Sequence, residues 1–308
     1  MTARVYKSTG SWYLVKDENG KFYQARIKGK LKMDDITSTN PIAVGDIVDI
    51  DPENELEDTV MISGIHDRKN YINRRSPSSK RLHHIIASNI DQSLLVATLR
   101  EPRTSQGFID RFLIACESFH VPAIVVLNKA DLFREKEKKQ YEEWKGMYED
   151  IGYTFVLTST HTGEGVEMLR SLLKNKITLM SGHSGVGKST LINALLPELE
   201  LKTKEVSGWS GKGMHTTTFA EMFDLPIGGS IIDTPGMREF GLVDIPKQEL
   251  SHYFPEMRKL LHNCQFNNCL HTDEPECAVK DAVNQELISV DRYISYCTIL
   301  ESLETTDW

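Results

Sequence analysis

Gly182-His183-Ser184-Gly185-Val186-Gly187-Lys188-Ser189-Thr190 decides the fold of this chain. Its first eight residues fit G-x-x-x-x-G-K-[ST], the pattern of a loop that wraps phosphate. Glycines let the backbone close in until its N–H groups point at phosphate oxygens, and the helix that follows adds positive potential at its N-terminus. Such a loop needs a strand before it and a helix after it. Ile177–Met180 is the apolar strand and Ser189–Leu196 the helix, so the spacing predicts a mainly parallel α/β sheet here. In that setting Lys188 reaches the β- and γ-phosphates, and the Ser189 hydroxyl coordinates Mg²⁺.

Upstream, the same α/β alternation starts near Ile85. Ser93–Thr98, Pro122–Leu127 and Thr154–Leu157 read as strands, with helices over Ser105–Phe119 and Arg134–Asp150. Directly after the second strand stands Asn128-Lys129-Ala130-Asp131. The Asp131 carboxylate can accept from both guanine N1–H and the exocyclic amine, which adenine cannot satisfy. Leaving that carboxylate unpaired costs enough to favour GTP or GDP over adenine nucleotides. Ser159-Thr160-His161, after the third strand, stands where a loop meets guanine O6.

Downstream, Ser230–Ile232 is an apolar strand ending at Asp233-Thr234-Pro235-Gly236. Asp233 is placed to hold Mg²⁺ through water, and the Gly236 N–H to meet the γ-phosphate. Between this motif and the phosphate loop, Lys202–Thr218 ends in Gly213-Met214-His215-Thr216-Thr217-Thr218. One threonine there should complete the Mg²⁺ shell; Thr217 is favoured, with Thr216 next. Met237 stands where many GTPases have a water-orienting glutamine. A thioether cannot orient water, so slow intrinsic hydrolysis is expected, with His215 or a partner supplying the missing group.

The order of these motifs is unusual. A GTPase of ordinary connectivity carries the phosphate loop first and N-K-x-D near its end; here the cycle is cut after Asp233-Thr234-Pro235-Gly236. The cut leads Met237–Gly241 straight into residues 244–308, so loss of the γ-phosphate should be felt there first. In that tail, Cys264-x4-Cys269-x-His271-x5-Cys277 gathers three thiolates and an imidazole within 14 residues. Such soft donors suit tetrahedral Zn²⁺, and four protein ligands leave no open position for catalysis. A structural zinc is expected.

The front of the chain differs again. Ser11–Val15, Phe22–Ile27, Asp46–Asp51 and Val60–Ile65 read as short strands, and their number and spacing suit an OB-type barrel over 1–68. Residues 69–84 read as a basic linker, 85–243 as the GTPase domain and 244–308 as a mainly helical zinc-binding domain. Net charge is -8 overall, yet residues 1–85 carry 14 Lys/Arg against 12 Asp/Glu, while 244–308 carry 5 against 12. RNA contact is therefore expected at the front, with Lys28, Lys30, Lys32, Arg74, Arg75 and Arg81 as candidates. No apolar run approaches the roughly 20 residues of a membrane span. The polar start is no signal peptide, and an odd set of five cysteines argues for a reducing compartment. A cytoplasmic protein is expected.

Together these segments resemble the RsgA (YjeQ/YloQ) family, circularly permuted GTPases of small ribosomal subunit maturation. The resemblance covers nearly the whole chain, including Ser88-Asn89-Ile90-Asp91, the Cys-Cys-His-Cys segment and Arg292-Tyr293-x-Ser295-Tyr296. It implies an N-terminal OB-fold, a central GTPase domain and a C-terminal zinc domain. It also implies a late checkpoint role near the decoding region, and a monomer is expected. Its partners would be the small (30S) subunit with its 16S rRNA and other assembly factors, the subunit stimulating GTP hydrolysis. One departure is the loop Gly211-Lys212-Gly213-Met214-His215, where the family has G-R-G-R-H. A weaker grip of this loop on ribosomal RNA is expected. Two other function classes bear on the same residues. One is a non-enzymatic RNA-binding module, against which the intact Lys188, Ser189 and Asp233 argue. The other is a P-loop ATPase or kinase, which Asn128–Asp131 disfavours.

Overall fold

The computed structural model describes residues 1–28, 41–52, 59–76, 79–196, 220–234 and 245–304. Five strands build the front: β1 (Thr2–Ser8), β2 (Tyr13–Asp17), β3 (Phe22–Ile27), β4 (Ile47–Pro52) and β5 (Thr59–Ile65). They pair in the order β1-β2-β3-β5-β4, and β4 returns to β1, so the sheet closes into a barrel. Every pairing is antiparallel except β3 with β5. Alternation sets the interior: Val5, Tyr13, Val15, Ala25, Val48, Ile50, Val60 and Ile62 are buried together. The OB-like barrel expected here is present, with β1 as the strand that pattern reading missed.

Residues 69–84 are more than a connector. β6 (Tyr71–Ser76) and β7 (Ser79–Ser88) pair as an antiparallel hairpin. The run of Lys and Arg hid the reason. Ile72, Ile86 and Ala87 are buried in the central core, which gives the hairpin apolar surface to bury.

Past β7 the chain lays down β8 (Gln92–Ala97), α1 (Gln106–Ser118), β9 (Ala123–Leu127), α2 (Glu135–Asp150), β10 (Thr154–Leu157) and α3 (Val166–Leu173). Then follow β11 (Ile177–Ser181), α4 (Lys188–Leu195), β12 (Glu221–Asp224) and β13 (Ser230–Asp233). The strands lie in the order β10-β9-β8-β11-β13-β12, all parallel except β12. Successive residues face opposite sides. Leu95, Ala97, Val125 and Leu127 join the core under α1 and α2, while Leu94, Val96, Ile124 and Val126 join that under α3 and α4. Counted cyclically from β11, the spatial order becomes 6-5-4-1-3-2, a doubly wound sheet. The permutation inferred from motif order is thus also visible as strand topology.

Barrel and sheet meet at one ladder pair, Lys7 with Glu221, where Lys7 Nζ lies 2.8 Å from the Glu221 carboxylate. Buried Asp46 ties the barrel to the hairpin by accepting from Arg68 Nη2 at 2.6 Å and the Ser88 hydroxyl at 2.5 Å. After β13 the described residues hold helices and turns: α5 (Pro255–Arg258), α6 (Ala278–Asn284) and α7 (Val290–Glu304). This region packs on α1, with Phe254, Met257, Tyr296, Ile299 and Leu300 in one core with Ile109, Phe112 and Leu113. Among the described residues no helix is long and apolar enough to cross a membrane.

Candidate nucleotide and metal sites

Doubly wound sheets bind ligands beyond the carboxyl ends of their strands, where the order reverses. Four candidate segments lie at such ends. The phosphate loop follows β11, Asn128–Asp131 follows β9, Ser159-Thr160 follows β10, and Asp233 closes β13. The loop's backbone depends on glycine. Gly182, Gly185 and Gly187 have φ of 143°, 83° and 96°, left-handed values that side chains rarely adopt. A Cβ at Gly187 would stand 2.5 Å from Asn128 Nδ2.

That near-contact belongs to a brace. Asn128 Nδ2 donates to the Val186 carbonyl at 2.9 Å, and Asn128 Oδ1 accepts from the Thr158 hydroxyl at 3.0 Å. One buried amide therefore joins phosphate loop, β9 end and β10 end. Beside it, Ser159 donates its hydroxyl to Asp131 at 2.5 Å, holding the carboxylate ready while leaving it exposed. Lys129 sits in the left-handed region and its ammonium donates to the Glu101 carbonyl. Thr160 is half-buried on the same loop, and His161 is exposed.

At the phosphate end, Lys188 opens α4 and donates to the Gly182 and His183 carbonyls at 2.5 and 2.9 Å. Burial lowers the Lys188 pKa, with Asp233 pulling it back up. Burial likewise raises the Asp233 pKa, with Lys188 opposing. Asp233 Oδ1 is buried with no hydrogen-bond partner. A buried carboxylate oxygen in that condition is costly, and a hydrated divalent cation would satisfy it. Ser184, Gly185, Ser189 and Thr190 are exposed around the loop, so the groups able to hold Mg²⁺ and phosphate face solvent. His215, Thr216, Thr217, Gly236, Met237, Lys30 and Lys32 lie outside the described residues, as do the side chains of Arg74, Arg75 and Arg81. Lys28 is exposed and stands 4.0 Å from Asp51.

The cysteine cluster assembles as expected. Donor atoms of Cys264, Cys269, His271 and Cys277 lie within 4.8 Å of one another. His271 Nδ1 is 3.7 Å from Cys264 Sγ and 3.3 Å from Cys277 Sγ, so Nδ1 is the inward nitrogen. Burial pushes the Cys269 thiol up to about 12 and raises Cys277 also. Thiolates here need a cation, and the donor set and spacing fit Zn²⁺. The support around it is specific. Tyr293 and Tyr296 donate their hydroxyls to the His271 and Leu270 carbonyls at 2.6 and 2.8 Å. The Glu274 carboxylate accepts from the Leu270 and Thr272 N–H groups at 2.7 and 2.9 Å.

Two features escaped pattern reading. Arg292 is buried and donates to Asp110 at 2.6 Å and to Glu256 at 2.8 and 3.3 Å. Burial alone would lower the Arg292 pKa, yet the two carboxylates hold it above its ordinary value. The second is Phe108, whose ring lies against that of His183, 3.9 Å between centroids and tilted by 31°. Both Phe108 and Asp110 belong to α1, so one helix touches the phosphate loop and the C-terminal region. Among the sequence signals, only the Arg292-Tyr293-x-Ser295-Tyr296 string pointed toward any of this.

Comparison with known proteins places these segments together. Residues 65–243 match the family model described as RsgA GTPase, and residues 2–60 match the RsgA N-terminal domain. A "Small ribosomal subunit biogenesis GTPase RsgA" of Flavobacterium psychrophilum is 53% identical over 99% of this chain and 94% of that protein. The protein of the same description from Cytophaga hutchinsonii is 52% identical, covering 99% of both. Among solved structures, YjeQ from Thermotoga maritima superposes with TM-score 0.78 at 34% identity, covering 98% of each chain. YloQ, described as a circularly permuted GTPase, superposes with TM-score 0.73 at 28% identity, covering 100% of this chain and 96% of that one.

Proposed function

The chain belongs to the RsgA GTPase family, hydrolases acting on GTP, and on that premise we propose that it is a late checkpoint factor of the small ribosomal subunit. In this reading it binds 16S rRNA in the GTP state, is stimulated by the subunit, and leaves on hydrolysis. The observation that carries it is the convergence of phosphate loop, Asn128–Asp131, Ser159 and Asp233 at one end of a single sheet.

The mechanism follows from that geometry. Asp131, held by Ser159, accepts from the guanine edge, while Asn128 keeps the base site and phosphate loop in register. Lys129 and Thr160 flank the base. The N–H groups of residues 182–190 cradle the phosphates, and Lys188 leaves the Gly182 and His183 carbonyls for the β- and γ-oxygens. Bound Mg²⁺, held by Ser189 and a switch threonine and reached by Asp233 through water, would neutralise charge on those oxygens. Water then attacks the γ-phosphorus in line, the bond from that phosphorus to the β–γ bridging oxygen breaks, and GDP leaves on the far side. The released phosphate keeps the water's oxygen and one of its protons, the other passing to solvent. His215 or a subunit group orients the attacking water, since Met237 cannot. Zn²⁺ on Cys264, Cys269, His271 and Cys277 would be structural.

Two contacts support coupling of the nucleotide to residues 245–304: Phe108 on His183, and Asp110 with Arg292, both through α1. The test is turnover with purified small subunits, with large subunits as control. Wild type should be stimulated by small subunits alone, and Lys188→Ala should lose at least a hundredfold. Equal stimulation by large subunits, or an active Lys188→Ala, would overturn the assignment. Cytoplasmic location and a monomeric state belong to the same reading.

A further inference from the structure

The outward side of the C-terminal region carries three large apolar side chains among its polar ones. Inward, α7 buries Arg292, Ser295, Tyr296, Ile299 and Leu300. Outward, its first two turns present Val290 and Ile294, 53% and 55% exposed, and Leu287 just before them is 74% exposed. Val290 and Ile294, four apart, share one helical face, and Leu287 sits in the bend that leads into the helix. Single exposed apolar residues are ordinary, whereas three large ones within eight residues of chain are a candidate contact surface.

Charge says what kind of contact. Residues 270–304 carry eight acidic residues and two basic ones, a net of -6. Of the two cations, Arg292 is buried between Asp110 and Glu256, and Lys280 Nζ donates to the Glu274 carbonyl. Asp291 lines an open groove with Arg103, Lys136 and Lys139, so its charge has an answer nearby. Asp281, Glu286 and Glu301 are exposed, so the exposed charge that this segment adds is acidic. A phosphodiester backbone would be repelled here, whereas a basic amphipathic segment would meet apolar surface and complementary charge together.

A ribosomal subunit offers both chemistries, RNA phosphate and basic protein. We propose that Leu287, Val290 and Ile294 dock a basic amphipathic segment of a small-subunit protein. This rests on the reading that the subunit is the partner, and it divides the labour by charge: the front of the chain meets RNA, the acidic tail meets protein.

The experiment compares wild type with Val290→Glu/Ile294→Glu on intact small subunits and on protein-free 16S rRNA. A photo-reactive benzoylphenylalanine at Leu287 is then cross-linked to intact subunits. The double variant should bind subunits about tenfold more weakly or worse. It should bind protein-free rRNA as wild type does, with nucleotide affinity and zinc content unchanged. The cross-link should fall on a basic subunit protein. Unchanged affinity for subunits, an equal loss on protein-free rRNA, or a cross-link to RNA or to this chain itself would overturn the proposal. Should the double variant misfold, Val290→Ser/Ile294→Asn takes its place, with the same loss expected on subunits and the same cross-link. Wild type failing to bind small subunits at all would instead remove the partner reading, and the docking proposal with it.

Discussion

Replacing Arg292 with methionine should cost more stability than any other single change on α7. Its guanidinium is 1% exposed and faces Asp110 and Glu256, whose side chains are 0% and 6% exposed. The cation also lies over the Phe254 ring, 4.7 Å from its centroid. Methionine keeps much of the packing volume but leaves two carboxylates buried without a cation. Breaking a buried ion pair in this way costs roughly 3–5 kcal/mol. At roughly 2–4 °C per kcal/mol for chains of this order of size, the melting temperature should fall by about 6 °C or more. The loss should depend on pH. In the variant two buried carboxylates face no cation, and burial without a counter-charge penalises their charged form. That penalty exists only where the carboxyls are ionised, so it is absent in acid and grows as pH climbs. Urea denaturation of zinc-loaded protein at pH 5.5 and pH 8 reads this directly, with the larger deficit at pH 8. Asp110→Asn keeps the arginine paired with Glu256 and should cost less, on the order of 1–3 kcal/mol. Replacing all three charges by apolar residues of similar size should recover most of the loss. An Arg292→Met protein within about 1 kcal/mol of wild type, or a deficit that ignores pH, would refute the claim that this triad clamps the tail to α1.

Asp233→Asn removes a carboxylate whose pKa burial raises and whose Oδ1 has no partner. The nucleotide-free protein should therefore melt higher than wild type near neutral pH, while Mg²⁺ with GDP stabilises it less. Differential scanning calorimetry with and without ligand separates the two effects. Gly187→Ala places a Cβ 2.5 Å from Asn128 Nδ2 at a left-handed φ of 96°. Guanine-nucleotide affinity should fall about a hundredfold or more, equivalent to roughly 2.7 kcal/mol, with the circular dichroism spectrum retained; titration with a fluorescent GDP analogue is the assay. Zinc removal by a chelator, or His271→Ala, should strip hydrogen-exchange protection from residues 264–277 and from the Tyr293 and Tyr296 turn. The barrel should keep its protection. Equal protection in metal-free and zinc-loaded protein would show that the cluster holds no structural ion.

Local chemistry was legible in the sequence, and long-range closure was not. The phosphate loop, Asn128–Asp131 and the cysteine cluster each carry their meaning in a few adjacent residues, because backbone approach, base recognition and metal chelation demand fixed residue types at fixed spacing. Strand boundaries followed to within a residue or two at β8, β9, β10 and β11, whose apolar runs are buried on both faces. What escaped has a common cause. β1 and β12 are short strands of mixed polarity that become strands by pairing with partners far away, Lys7 with Glu221 among them. α3 is eight residues long, too short for periodicity to stand out.

The ion triad is the extreme case of that distance, since Asp110 and Arg292 stand 182 residues apart. Nothing in the spacing of either residue announces the other. The constraint runs in one direction: an arginine buried to 1% must find carboxylates, but which ones is settled by how α7 packs on α1. That packing also changes what the permuted motif order means. Cutting the cycle after Asp233–Gly236 makes the tail the next segment in the chain, yet the hydrogen bonds of Arg258, Arg292 and Ser302 to the nucleotide domain run through α1. Phe108 on that helix packs against His183 of the phosphate loop, and Asp110, two residues on, holds Arg292. A change in loop conformation that shifts Phe108 must therefore move the helix that carries Asp110, or break one of the two contacts. If nucleotide state alters exchange protection around Arg292 in wild type, Phe108→Ala should diminish that response while leaving the triad in place.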